Sequence, residues 1–189
     1  MSSQDDIVLY IEEAKEKMSK TFDSLNVAFS QIRSGRATPG LVEDIKVDVY
    51  GQDMPMNQIA SINIPEARSI IIDLWDKSNL QPAEKAIQMS GRNLNPQNDG
   101  NLIRINLPEM TEETRKEMVK IAKQKAEDFK VSIRNARRDA NDTIKKSKGE
   151  GVSEDDIHGY QDEVQKLTDE FNSKIDKAFT AKENDILTV

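Results

Sequence analysis

Apolar residues recur at steps of three or four over three long stretches of this chain, and alternate with polar ones between them. In the first stretch, Ile7, Ile11, Ala14, Met18, Phe22, Leu25, Phe29 and Ile32 fall on one helical face, which predicts a helix over residues 3–34. Ser2 or Ser3, with Asp5 or Asp6 three residues on, supplies a candidate N-cap. The period stops at Ser34-Gly35-Arg36-Ala37-Thr38-Pro39-Gly40, where glycine and proline break it. It returns after Thr111, a candidate cap, with Glu112 and Glu113 placed against the positive helix end and Met118, Ala122, Phe129, Ile133, Ala136 and Ala140 on one face. This second helix should fray near Lys148-Gly149-Glu150-Gly151. Ser153, with Asp156 positioned to reach back, opens a third, along which Ile157, Tyr160, Val164, Leu167, Phe171, Ile175 and Ala178 follow. The terminal residues 184–189 are expected to be loose.

The middle of the chain has the period of strands. Ile45-Lys46-Val47-Asp48-Val49-Tyr50 alternates apolar and polar, and Gly51-Gln52 after it reads as a type II′ hairpin turn. Residues 59–64, 70–75 and 102–107 are further strands, rich in β-branched side chains. Pro65, Asn95-Pro96 and Asp99-Gly100 mark turns, and residues 82–89 a short helix with proline in its first turn.

Three long amphipathic helices must bury their stripes against one another. The expected fold class is therefore α+β: a long antiparallel three-helix bundle made of residues 1–34 plus 109–189, with a small β/α/β sandwich domain inserted as residues 35–108. The chain crosses between them twice, through Gly35–Gly40 and through residues 107–110. A two-strand hinge there involves Gly35, Arg36, Pro39, Gly40, Leu107 and Pro108, although both glycines are also explained as plain helix stops.

Composition narrows the class. The 189 residues are 32% charged, carry a formal net charge of -7 and include no cysteine, which rules out disulfides, thiol nucleophiles and cysteine metal sites. No apolar run approaches the roughly 20 residues that span a bilayer. The acidic N-terminus resembles neither a secretory signal nor an arginine-rich transit peptide, so a soluble cytoplasmic monomer is expected. No phosphate-binding loop, dinucleotide fingerprint, zinc motif or nucleophile elbow occurs; no cofactor or metal is expected, and any nucleotide hydrolysis falls to a partner. His158, the only histidine, belongs on the surface, Trp75 in core or rim packing, and Asp155-Asp156 at a helix start.

Against that acidic background one segment stands out. Arg134, Arg137 and Arg138 fall within five residues of a predicted helix. Lys116, Lys120, Lys123, Lys130, Lys145 and Lys148 lie with them within roughly 60° of one line, about 48 Å long at the helical rise. A basic line on an acidic protein suits a negatively charged partner; the plain alternative is a solvated face, with Arg138 bridging Asp142 one turn on.

Several segments then resemble one family. Ile32-Arg33-Ser34-Gly35-Arg36-Ala37-Thr38-Pro39, Pro82-Ala83-Glu84-Lys85-Ala86-Ile87, Gly91-Arg92-Asn93-Leu94-Asn95-Pro96, Leu107-Pro108 with Thr111-Glu112-Glu113, the run Arg134–Asp142 and the run Gln161–Asp169 are similar, in order and spacing, to ribosome recycling factors. The departures are local: Ser34 and Thr38 exchange hydroxyl residues, and Gly149-Glu150-Gly151 is looser than the usual lysine-rich connection. The resemblance implies a non-enzymatic factor of tRNA-like outline in protein biosynthesis. Such a factor enters the ribosome after termination and, with the GTPase elongation factor G and GTP, splits it into subunits for reuse. It implies a bundle that touches large-subunit rRNA through Arg33, Arg36, Arg134, Arg137 and Arg138, and a smaller domain that swings and meets the GTPase. Arginine suits such RNA because its fork bonds phosphate oxygens in pairs. The competing classes are a helical adaptor docking an acidic protein, and a small enzyme with its site in the middle unit.

Overall fold

The computed structural model describes residues 3–148 and 151–188, and it is α+β. Helix α1 (Ser3–Ser30) is followed by a hairpin of β1 (Lys46–Val49) and β2 (Gln52–Pro55), strands β3 (Ala60–Glu66) and β4 (Ser69–Leu74), helix α2 (Leu80–Met89), strands β5 (Pro96–Asn98) and β6 (Ile103–Asn106), and the long helices α3 (Glu112–Lys146) and α4 (Glu154–Leu187). The chain divides into two compact units, Met1–Ala28 with Ile121–Glu183, and Phe29–Lys120 with Asn184–Val189.

The first unit is a bundle of three helices. Ile7, Ile11 and Ala14 of α1, Ala140 and Ile144 of α3, and Ile157 and Val164 of α4 share one buried core. The start of α1 thus meets the end of α3 and the start of α4. Ala122, Ala126, Ala136 and Ala140 keep the buried stripe of α3 thin. Each fully buried isoleucine, such as Ile7 or Ile144, contributes about 1.5–3 kcal/mol. The caps form as the sequence suggests. Thr111 Oγ1 accepts from the Thr114 amide at 3.2 Å, and Ser153 Oγ accepts from Asp156 N at 3.1 Å while donating to Asp156 Oδ2 at 2.6 Å. The cap expected at Ser2 and the loose connection at Gly149 and Glu150 lie outside the described residues.

In the second unit β1 pairs with β2, and β3-β4-β6-β5 form a second antiparallel sheet. Helix α2 lies against β1 and β5 and turns Ala83 and Ile87 into a core with Val47, Met56, Ile72 and Ile103. Three expectations are corrected here. The hairpin turn is not Gly51-Gln52 of type II′. Val49 pairs with Gln52, so Tyr50 and Gly51 are the central residues, and both have positive φ (52° and 83°) as in a type I′ turn. Pro96 does not merely mark a turn but opens β5, an edge strand that tolerates a residue without an amide hydrogen. Trp75 is 69% exposed, because it follows the buried Leu74 on the outward side of β4's end.

Both ends of the long helices differ as well. Helix α1 stops at Ser30 rather than residue 34, yet Ile32 is buried: the apolar period reported burial beyond the helix itself. Helix α4 does not loosen at residue 184. It continues to Leu187, with Ile186 fully buried and the Thr188 amide bonded to the Asn184 carbonyl at 2.9 Å. Gly35 permits this, since a side chain there would stand 3.1 Å from the Thr188 carbonyl oxygen.

One polar cluster fixes the small unit. Arg92 grips Asp44 with both guanidinium ends, at 2.7 and 2.8 Å, and also donates to the Leu41 carbonyl, while Gln31 donates to Asp44 at 2.7 Å. The Arg92 hydrogen bond holds the Asp44 carboxyl below the usual carboxylate range. A folded-state pKa that is depressed adds stability above the unfolded value, about 3.9, and that stability is lost as pH falls through the folded value. Thermal midpoints measured from pH 7 to pH 3 should therefore fall more steeply below about pH 5 in the native chain than in Asp44→Asn. Parallel curves would show that this pair does not contribute.

A basic helix face as candidate nucleic-acid interface

The basic line of α3 is divided by its surroundings. Lys130 is taken up by α4: its ammonium lies 2.6 Å from Asp176 and 3.6 Å from Glu127, and the Asp176 hydrogen bond raises its pKa. Arg137 is half-buried and donates to Gln165 Oε1 at 3.0 Å. Lys148 is paired with Glu154, and Lys116, in the other unit, with Glu112 at 2.7 Å. What remains in the bundle unit is Lys123, Arg134, Arg138 and Lys145, all exposed and without an ion pair among the described residues.

Three of these four border one open depression of about 470 Å³, with Arg134, Arg138 and Lys145 on its wall beside Asn141, Asp142 and Gln165. Positions 134, 138, 141 and 145 follow the helical repeat, so one face of α3 presents them in a row. The alternative bridge from Arg138 to Asp142 does not form among the described ion pairs. Instead it is Arg137 that braces α3 against α4, through Gln165. That partner was hidden from sequence reading because the helical period places residues on a face but does not say which neighbour the face meets. A row of cations on a rigid helix can bind successive phosphates; it has no acid–base pair for chemistry.

The other sequence candidates lie in the second unit. Arg33 is half-buried, its Nη2 donates to the Pro108 carbonyl, its Nε is buried without a partner, and burial lowers its pKa. Arg33 thus ties the turn after α1 to the segment before α3. Arg36 is exposed. The candidate hinge segments are both held by the β3–β4 turn: Ala37 N donates to the Ala67 carbonyl at 2.6 Å and Leu107 N to the Arg68 carbonyl at 2.8 Å. Pro39 opens a single 3-10 turn and Gly40 is buried within it.

A wider depression, about 740 Å³, lies elsewhere, between the β1–β2 hairpin and α2. Asp44, Asp48 and Asp53 alternate there with Lys46, Lys85 and Arg92, so it has no single sign of charge. Among the described residues no group of His, Cys, Asp or Glu is arranged to hold a metal ion, and no helix is long and apolar enough to cross a membrane.

Comparison with known proteins gives this geometry a context. The family model described as ribosome recycling factor matches residues 25–187. The ribosome-recycling factor of Halothermothrix orenii is 49% identical over 93% of this chain and 96% of its own length, and that of Clostridioides difficile 49% identical over 94% and 97%. A solution structure of the ribosome recycling factor superposes with a TM-score of 0.78 at 38% identity, covering 97% of this chain and 98% of that one. Models for the T. thermophilus ribosome recycling factor and E. coli elongation factor G bound to the E. coli post-termination complex include a chain matching with a TM-score of 0.66 at 39% identity, covering 99% and 100%. With the helical bundle, the small β unit and the arginine run all falling inside those matches, the chain belongs to the ribosome recycling factor family.

Proposed function

We propose that this chain, acting with elongation factor G and GTP, splits post-termination ribosomes into subunits for reuse, and that it meets large-subunit rRNA through the exposed face of α3. The observation that carries the RNA reading is the row Arg134, Arg138 and Lys145, exposed and without an ion pair among the described residues of a protein of net charge -7. Cations left unpaired amid so many acids are available to phosphate. Arg137 supports the row by fixing α3 to α4, and Arg36 is a further contact at the turn after α1. The related chain seen with elongation factor G on a post-termination complex supports both partners. The factor itself carries no reaction and works in the cytoplasm, GTP being hydrolysed by its partner.

We further assign a swing of the domain at residues 35–108 against the remainder, through Gly35, Arg36, Pro39, Gly40, Leu107 and Pro108. One set of sucrose gradients tests both statements. Post-termination ribosomes with elongation factor G and GTP should release more free subunits when the chain is added; no gain over the GTPase alone refutes the assignment. A variant locked by a disulfide between introduced cysteines in the two domains should split poorly. Splitting at the native rate would dispense with the swing.

A further inference from the structure

Arg137 differs from other cations of α3 in what holds it. Lys116 and Lys130 are each paired with a carboxylate, which cancels their charge. Arg137 is held by an uncharged group: its Nη1 donates to Gln165 Oε1 of α4 at 3.0 Å. The amide nitrogen of Gln165 donates in turn to Asp169 Oδ1, 2.9 Å away and one turn further along α4. Arg137 and Gln165 are half-buried, while Asp169 is exposed and has no ion pair among the described residues.

The direction of this relay is set by what each group can do. An ionised carboxylate only accepts hydrogen bonds, and a guanidinium only donates them. The amide between them offers both, and one orientation alone serves both neighbours: nitrogen toward Asp169, oxygen toward Arg137. Reversed, it would set oxygen against oxygen and nitrogen against nitrogen. Asp169 thus fixes the amide of Gln165, and Gln165 fixes Arg137.

An arginine held by an acid is ordered but neutralised. One held by nothing keeps its charge, yet must give up rotamer freedom when it binds. Arg137 is ordered and still charged. It lines the same depression as Arg134, Arg138 and Lys145, and so does Gln165. A guanidinium carries five N–H donors and this bond takes one, so phosphate oxygens can still be bonded in pairs. We propose that Gln165 is a positioning residue for RNA: with Asp169 behind it, it presets Arg137 for phosphate as a neutral clamp and spares the charge that an acid in its place would cancel. This role rests on the α3 face meeting large-subunit RNA, and it makes Arg137 a contact as well as a brace.

The test titrates full-length variants against isolated large-subunit RNA over a range of salt. Thermal midpoints, measured alongside, establish that each variant is folded at the assay temperature. Gln165→Glu keeps an acceptor for Arg137 and adds attraction, so a plain staple between helices would survive it. Affinity should instead fall about tenfold, and the salt slope should become shallower by about one, because Arg137 is neutralised. Gln165→Leu removes the clamp and spares the charge. Its affinity should fall about fivefold at the native salt slope, as expected for ordering one freed side chain. In a chain already carrying Arg137→Ala, Gln165→Leu should change RNA binding no further. Native affinity in either Gln165 variant, a salt slope moved by Gln165→Leu, or a further loss in the Arg137→Ala chain overturns the proposal. The double variant Arg134→Glu with Arg138→Glu is run beside them. If it too binds natively, RNA does not meet this face and the underlying reading has failed. If it binds weakly while Gln165→Glu binds natively, the clamp alone has failed.

Discussion

Replacing Arg134 and Arg138 together by glutamate is expected to weaken binding to isolated large-subunit RNA about a hundredfold or more at physiological salt. Both side chains are exposed, and neither has an ion pair to lose, so the fold should be indifferent: surface changes of this type usually fall within about ±0.5 kcal/mol. Binding is not indifferent. Losing two phosphate contacts worth about 1.4 kcal/mol each gives the hundredfold, and the reversed charges add repulsion. The logarithmic dependence of affinity on salt should become shallower by roughly one to two. Lys116→Glu is the control, since Lys116 is already neutralised by Glu112. Arg137→Ala separates bracing from contact, because it releases Gln165 as well as a cation and should lower the thermal midpoint slightly. If the double variant binds with native affinity and native salt slope, the exposed arginines are a solvated face and nothing more.

Gly40→Ala should be the most destabilising single methyl that can be added at the crossing segments. A Cβ built on Gly40 stands 2.7 Å from Ser30 Cβ, 2.8 Å from Ser30 Oγ and 3.0 Å from the Ser30 carbonyl oxygen. The last of these is backbone at the end of α1, which cannot turn aside as a side chain can. Gly40 is itself buried, so the turn cannot lift into solvent. Overpacking of this sort costs about 1–3 kcal/mol. At 2–4 °C per kcal/mol for a chain of this size, the thermal midpoint should drop by roughly 2–12 °C. Adding Ser30→Gly removes two of the three close contacts and should restore most of the loss. A single variant as stable as the native chain, or a double variant no better than the single, would show that the segment yields where the geometry says it is tight. Gly40 is thus glycine for close approach to Ser30.

These results bear on what residue order alone could tell. Periodicity found all three long helices, because one apolar face over thirty residues has few competing explanations. Their caps at Thr111 and Ser153 were equally plain, since a hydroxyl three residues ahead of its partner amide is a local device. What escaped was set by distant neighbours. The burial of Ile186 and the ending of α1 at Ser30 depend on which surface lies across from them. The edge strand at Pro96 depends on β6 being there to pair with, and the type I′ turn at Tyr50 on a register that Val49 and Gln52 share. The arginine run was visible at once, yet the division between a bracing Arg137 and exposed Arg134 and Arg138 was not. It turns on where Gln165 of α4 arrives.

The two amide hydrogens donated to the β3–β4 turn carry one more consequence. Ala37 bonds to the carbonyl of Ala67 and Leu107 to that of Arg68, so the stretch between them begins and ends against two adjacent residues. Its ends are therefore fastened at a single spot, and every strand of both sheets lies between them. A stretch with that property is a closed cassette. It can be lifted out of one such chain and set into another, or have its own order of elements rotated, without any element being threaded through the rest. That gives the small β unit a freedom to diversify that the bundle lacks, since Ile7, Ile144 and Ile157 from all three long helices share one core.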